Sequence, residues 1–232
     1  MPEYYDLIMT RLKDHERALA LRKQGMSYSQ IKKILEVNKN TLSYWLRNYP
    51  LSKERIKELK DCDEKRIERF RETMRKKKEK RLKEVYKKQK KIIFPLSKRE
   101  FYLAGLFLYW GEGSKAAIAK SSISNTDPSI INFFIKWLTD CFKIPKNKIK
   151  IHLHLYSDMD INKEIKYWSK ALNISTKQFI KPYIKKSSKK RINHKGAFGH
   201  GTCNAGIGGS QLTEKIHMSI KAISDKYFKM RT

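Results

Sequence analysis

Between Pro50 and Pro95 the chain contains neither Gly nor Pro, and over residues 51–92 it is a dense mix of charges that culminates in Lys76-Lys77-Lys78 and the run from Lys87 to Lys91. A segment with no helix breaker and no continuous apolar face cannot build a core of its own, so it reads as one long solvated helix. Its apolar positions, Ile56, Leu59, Ile67, Phe70, Met74, Leu82 and Val85, are too sparse to fix a heptad seam. They leave a coiled coil and a soluble linker both open. This segment divides the chain into a small module over 1–50, a basic helical linker over 51–95, and a second domain over 96–232. The composition shifts at Ile92-Ile93-Phe94-Pro95, after which aromatics, β-branched residues and glycines appear. A length of 232 residues suits one small module and one medium domain.

Charge narrows the class of partner. Lys+Arg number 53 against 23 Asp+Glu, a formal net charge of +30. That exceeds what solubility requires, and a polyanion is the simplest partner, because each neutralised phosphate releases a condensed counterion. A membrane surface is the competing polyanion. It is disfavoured because no apolar run approaches a spanning helix and the basic stretches lack an apolar opposite face. Met1 to Leu12 carries acidic residues where a signal peptide would be basic, which predicts a cytoplasmic protein. Cys62, Cys141 and Cys203 are far apart and without CxxC spacing, as expected of reduced structural thiols rather than zinc ligands.

Within the first module, Glu16 to Gly25 is an amphipathic helix ending on a C-cap glycine. Ser27 can cap a short helix through Leu35, and Asn38 a third from Lys39 to Asn48, with Leu42, Trp45 and Leu46 spaced to face inward. Three short helices with that middle turn form a helix-turn-helix. The residues from Ile31 to Leu46 resemble the resolvase-like and regulator-like helix-turn-helix families. Glu36 departs from them, occupying a place where they have a left-handed glycine. The resemblance implies that Lys39, Asn40, Thr41, Ser43, Tyr44 and Arg47 lie on the exposed side of a recognition helix. There Asn can read adenine, Thr a thymine methyl, and Lys and Arg guanine or phosphate, with Lys76, Lys77 and Lys78 adding phosphate contacts. A helical module that binds protein is the plainer alternative.

For the second domain the pattern predicts an α+β fold: a helix at 97–111, extended segments near 116–125, a helix at 128–143, a strand at 148–156, a helix at 161–172, strands near 177–185 and 201–208, and a helix at 210–223. Ser187 to Lys195 reads as a Lys/Ser-rich loop. The segment Phe101-Tyr102-Leu103-Ala104-Gly105-Leu106-Phe107-Leu108-Tyr109-Trp110-Gly111-Glu112-Gly113 places small residues where a backbone can approach closely, and a carboxylate between two glycines. It resembles the motif helix of the LAGLIDADG homing endonucleases and their non-cleaving relatives, and the later Ile123 to Asp127 with the amphipathic helix after it extends the likeness. The resemblance implies a mixed α/β domain that dimerises and acts on double-stranded DNA at a pseudo-palindromic site. In a nuclease it implies Glu112 as a catalytic carboxylate and Mg²⁺ ligand, with the second carboxylate coming from a homodimer partner. Two extra residues before Glu112, however, rotate it about 200° from the Ala104/Gly105 stripe. A helix-end carboxylate pairing with Lys115 is therefore the structural alternative.

Two functions follow as expectations: a sequence-specific duplex-DNA-binding protein with a regulatory or DNA-organising role and no cofactor, or a Mg²⁺-dependent homing-type endonuclease. RNA binding is the remaining nucleic-acid reading. His152 and His154 share one face of an apparent strand, with Asp158 and Asp160 close behind, which suits a polar sheet face or, failing that, metal or acid–base work. The glycine-rich Gly199 to Gly209 lacks the order of a P-loop. Trp110, Trp137 and Trp168 are expected in the core.

Overall fold

The computed structural model describes residues 2–115, 119–186 and 199–227, with side chains from residue 13 onward. The chain divides into two compact units, Met1–Phe94 and Pro95–Thr232. Its fold is α+β, with helices predominating over a single four-stranded mixed sheet. No helix among the described residues is long and apolar enough to cross a membrane. The Lys/Ser-rich stretch from Ser187 to Lys195 lies outside the described residues.

The first unit begins with α1 (Pro2–Lys23), α2 (Tyr28–Leu35) and α3 (Lys39–Trp45). Local chemistry sets each boundary. Gly25 takes φ 85° after α1. Ser27 and Gln30 close a capping box on α2, each satisfying the other's backbone N–H. Glu36 then adopts the left-handed conformation, φ 52°, as the C-cap of α2. Asn38 caps α3 by accepting from the Asn40 N–H at 2.9 Å. Ala18, Tyr28, Ile31, Leu42 and Leu46 form the small core, with Trp45 half-buried against His15.

The single helix expected over 51–92 is instead two. A short α4 (Lys53–Glu58) buries Ile56, Leu59 is buried just after its end, and α5 (Cys62–Ile93) restarts after a break. Asp61 causes the restart, accepting from the N–H groups of Asp63 and Glu64. The beginning of α5 is also built into the unit rather than leaving it as a free linker. Glu68, 4% exposed, receives both terminal nitrogens of Arg22 at 2.9 Å and the Tyr28 N–H at 3.0 Å. Arg22 also donates to the carbonyls of Tyr49 and Met26. One buried ion pair thus joins α1, the turn, the segment after α3 and α5. Beyond it, α5 leaves Phe70, Met74, Leu82, Val85 and Ile92 exposed.

The second unit runs α6 (Lys98–Glu112), β1 (Lys120–Asn125), α7 (Pro128–Phe142), β2 (Lys150–Tyr156), α8 (Ile161–Leu172), β3 (Phe179–Lys185), β4 (Thr202–Gly208) and α9 (Ser210–Tyr227). The sheet order is β1-β4-β2-β3. β4 lies antiparallel to both its neighbours, while α8 provides the crossover that sets β3 parallel to β2. Opposite His152 and His154 the edge strand β3 takes an extra residue around Pro182, which has no N–H to give the ladder. Inward residues of the strands, Ile123, Ile151, Leu153, Leu155, Cys203 and Ala205, share one core with the helices. Trp137 and Trp168 are fully buried there, whereas Trp110 is only half-buried and stacks on the exposed Phe107. Gly105 is required by this packing: a Cβ at that position would lie 2.0 Å from the Trp137 ring.

Candidate nucleic-acid interface

In the first unit, a groove of about 1250 Å³ opens between α3 and α5. Lys39 and Ser43, four residues apart on one side of α3, line one wall together with Arg47, which lies in the turn after α3 because the helix ends at Trp45 rather than at the expected Asn48, and Arg75, Lys78 and Arg81 line the other. The carboxylates that reach the groove are already engaged within the protein. Glu68 is held by Arg22, Glu72 accepts from Lys76 at 2.8 Å, and Glu79 lies 4.0 Å from Arg75. The hydrogen bond from Lys76 holds the Glu72 carboxyl below its usual range. The remaining cations of the walls therefore face the groove with little counter-charge, and exposed Phe70, Met74 and Leu82 lie between them.

The residues expected to read DNA are distributed unevenly over this surface. Lys39, Asn40, Tyr44 and Arg47 are exposed, and the Arg47 guanidinium lies 4.8 Å from the centroid of the Tyr44 ring. Thr41 is half-buried. Ser43, expected on the exposed side of the helix, is half-buried, and its hydroxyl accepts from Arg71 at 2.6 Å. The same Arg71 lies 3.9 Å from the centroid of Tyr28, where Arg22 also stands at 4.6 Å. Burial raises the Tyr28 phenol above its usual range in spite of the two cations. Among the three central lysines, Lys77 and Lys78 line the groove, whereas Lys76 does not and pairs with Glu72. Sequence reasoning missed Arg75 and Arg81, although their spacing from Lys78 on one helix face was visible.

In the second unit the sheet offers a different surface. Alternation in β2 sends Ile151, Leu153 and Leu155 into the core and Lys150, His152, His154 and Tyr156 to the opposite face. By register, β4 adds Thr202 and Asn204, β1 adds Lys120 and Ser124, and β3 adds Tyr183 and Lys185. Asn204 donates to the Ser124 hydroxyl at 2.8 Å, and the Lys185 ammonium stands 4.9 Å from the Tyr156 ring centroid. None of the four strands contains an Asp or Glu. Among the described residues this face is basic and aromatic, with no carboxylate supplied by its own strands.

Glu112 ends α6 and is exposed, accepting from the Asn125 carboxamide at 3.4 Å. Of the three small residues expected to allow a close backbone approach, only Gly105 does so, packing on Trp137; Ala104 is exposed and Gly111 has open space beside it. No group of three His, Cys, Asp or Glu able to hold a metal occurs among the described residues. A lone carboxylate with one carboxamide does not fit Mg²⁺ chemistry within a single chain; a second carboxylate would have to come from another copy. Elsewhere, His200 meets Glu164 at 2.7 Å and stacks on Tyr167, and its carbonyl accepts from Trp168. That cluster fastens the residues before β4 to α8.

Compared with protein-family models, with curated proteins and with solved structures, the chain has no match.

Proposed function

We propose that the chain is a sequence-specific double-stranded DNA-binding protein with a regulatory or DNA-organising role. In this reading α1–α3 act as a helix-turn-helix and α3 enters the major groove. α5 lies along the flanking phosphates, and the second unit is a LAGLIDADG-like domain that pairs with another copy on a pseudo-palindromic site. The observation that carries the reading is the α3/α5 groove, whose walls bear Lys39, Arg47, Lys78 and Arg81 while its carboxylates are paired with Arg22, Lys76 and Arg75. Asn40 stands exposed on α3, where a carboxamide suits the edge of adenine. Selection from a random duplex library, followed by anisotropy titrations, tests this. Asn40→Ala is expected to lose about 1–3 kcal/mol of discrimination at one base position. Arg47→Ala and Lys78→Ala are expected to weaken all sequences alike. Equal losses for Asn40→Ala on selected and random DNA would remove α3 from the reading role.

A Mg²⁺-dependent endonuclease is the second reading, favoured by the exposure of Glu112 between two glycines. It requires two copies to bring their Glu112 carboxylates together. Duplex cleavage by the wild-type protein that Glu112→Gln abolishes, with binding retained, would establish it over the binding-only reading.

A further inference from the structure

The open face of the sheet carries a feature that DNA binding alone does not require. His152 and His154 are neighbours on β2 with ring centroids 4.8 Å apart, edge to face, and the His154 ring lies 5.5 Å from Tyr183. Among the described residues, the charged and titratable groups on this face are Lys120 from β1, Lys150 and Tyr156 from β2 itself, and Tyr183 and Lys185 from β3, whose Lys181 is also exposed. β4 contributes Thr202 and Asn204, which do not titrate. The acids nearest in sequence, Asp158 and Asp160, lie beyond the end of β2, and Asp160 is engaged as the N-cap of α8. The helices of this unit share the core on the opposite face. Two imidazoles thus stand side by side among ammonium groups, on strands without a carboxylate.

We propose that His152 and His154 form a phosphodiester-binding site that takes up protons as it fills, making nucleic-acid affinity pH-dependent near neutrality. The inference rests on the nucleic-acid reading above and adds to it the residues of a second contact and its regulation. In the free protein, burial and then the neighbouring His152, Lys185 and Lys120 hold the His154 imidazole below its usual range. A phosphate seated over the pair reverses the sign of the local field and favours the imidazolium, which can donate from both ring nitrogens. The bound state therefore carries more protons than the free state. Affinity rises as pH falls through the interval between the imidazole's pKa in the complex and its lower pKa in the free protein, and levels off below that interval.

The test uses the full chain and a mixed-sequence DNA duplex at fixed salt. Calorimetry in buffers of different ionisation enthalpy counts the protons taken up, and anisotropy follows affinity with pH. The wild type is expected to take up about one proton and to bind about tenfold more tightly near pH 6 than near pH 8. His152→Gln/His154→Gln, at half-exposed positions, should keep the fold by circular dichroism but bind with no proton uptake and a flat pH profile. His15, His194, His200 and His217 remain in that variant as internal controls. Proton uptake that persists in the double variant overturns the proposal, as does its absence in the wild type, and either result leaves DNA binding standing. Failure to bind any duplex at either pH overturns the proposal and the nucleic-acid reading together.

Discussion

Replacing Glu68 with alanine is expected to loosen the whole first unit, although the residue touches no expected DNA contact. Its carboxylate receives two Arg22 nitrogens and the Tyr28 N–H, and the side chains of the pair are 2% and 4% exposed. Removing the carboxylate leaves the Arg22 guanidinium buried without a counter-charge, still tied to the carbonyls of Tyr49 and Met26. Such a loss costs about 3–5 kcal/mol. That is a large part of the stability of a small unit, since whole domains hold only about 5–15 kcal/mol. Hydrogen exchange by mass spectrometry on the full chain reads it locally. Protection in α2 and α3 should fall by about 10²- to 10³-fold, with the second unit unchanged. Asp140→Ala, which removes an exposed partner of Lys136, is the matched control and should cost no more than about 1 kcal/mol. A fall in α2 and α3 protection of less than about tenfold for Glu68→Ala would show that the pair is solvated and does not anchor α5.

Gly105→Ala should destabilise the second unit by about 1–3 kcal/mol, because its Cβ would meet the Trp137 ring at 2.0 Å; a lowered thermal midpoint checks this. Glu36→Gly is expected to raise the stability of the first unit by up to about 1 kcal/mol by relieving a left-handed residue, read by the same exchange experiment. Burial pushes the Cys203 thiol well above its usual range, so iodoacetamide at neutral pH should label the exposed Cys62 and spare Cys203 until the protein unfolds.

Where strong local chemistry set the structure, the sequence was legible. Ser27 and Asn38 each announced a helix start, and the alternation around His152 announced a strand with one polar face. The break before α5 was harder to see because the charge run masked Asp61, which caps the helix by accepting from the N–H groups of Asp63 and Glu64. The buried ion pair was invisible for a different reason: Arg22 and Glu68 are far apart in the chain, and each resembles its solvated neighbours. The groove followed the same rule. Lys39 could be assigned to α3 from spacing alone, whereas Arg47 falls in the turn just after it, and the pairing of both with Arg75 and Arg81, like the diversion of Ser43 to Arg71, depended on how α5 packs.

The central claim is that this chain grips a phosphate backbone, and the salt dependence of duplex binding measures that most directly. Each neutralised phosphate contributes about 0.9 to the slope of log affinity against log salt. If the groove cations Lys39, Arg47, Arg75, Lys78 and Arg81 engage together with lysines of the sheet face, affinity should fall about 10³-fold or more between about 50 and 200 mM salt. A flat titration, or no duplex binding at the lowest salt, would contradict the account.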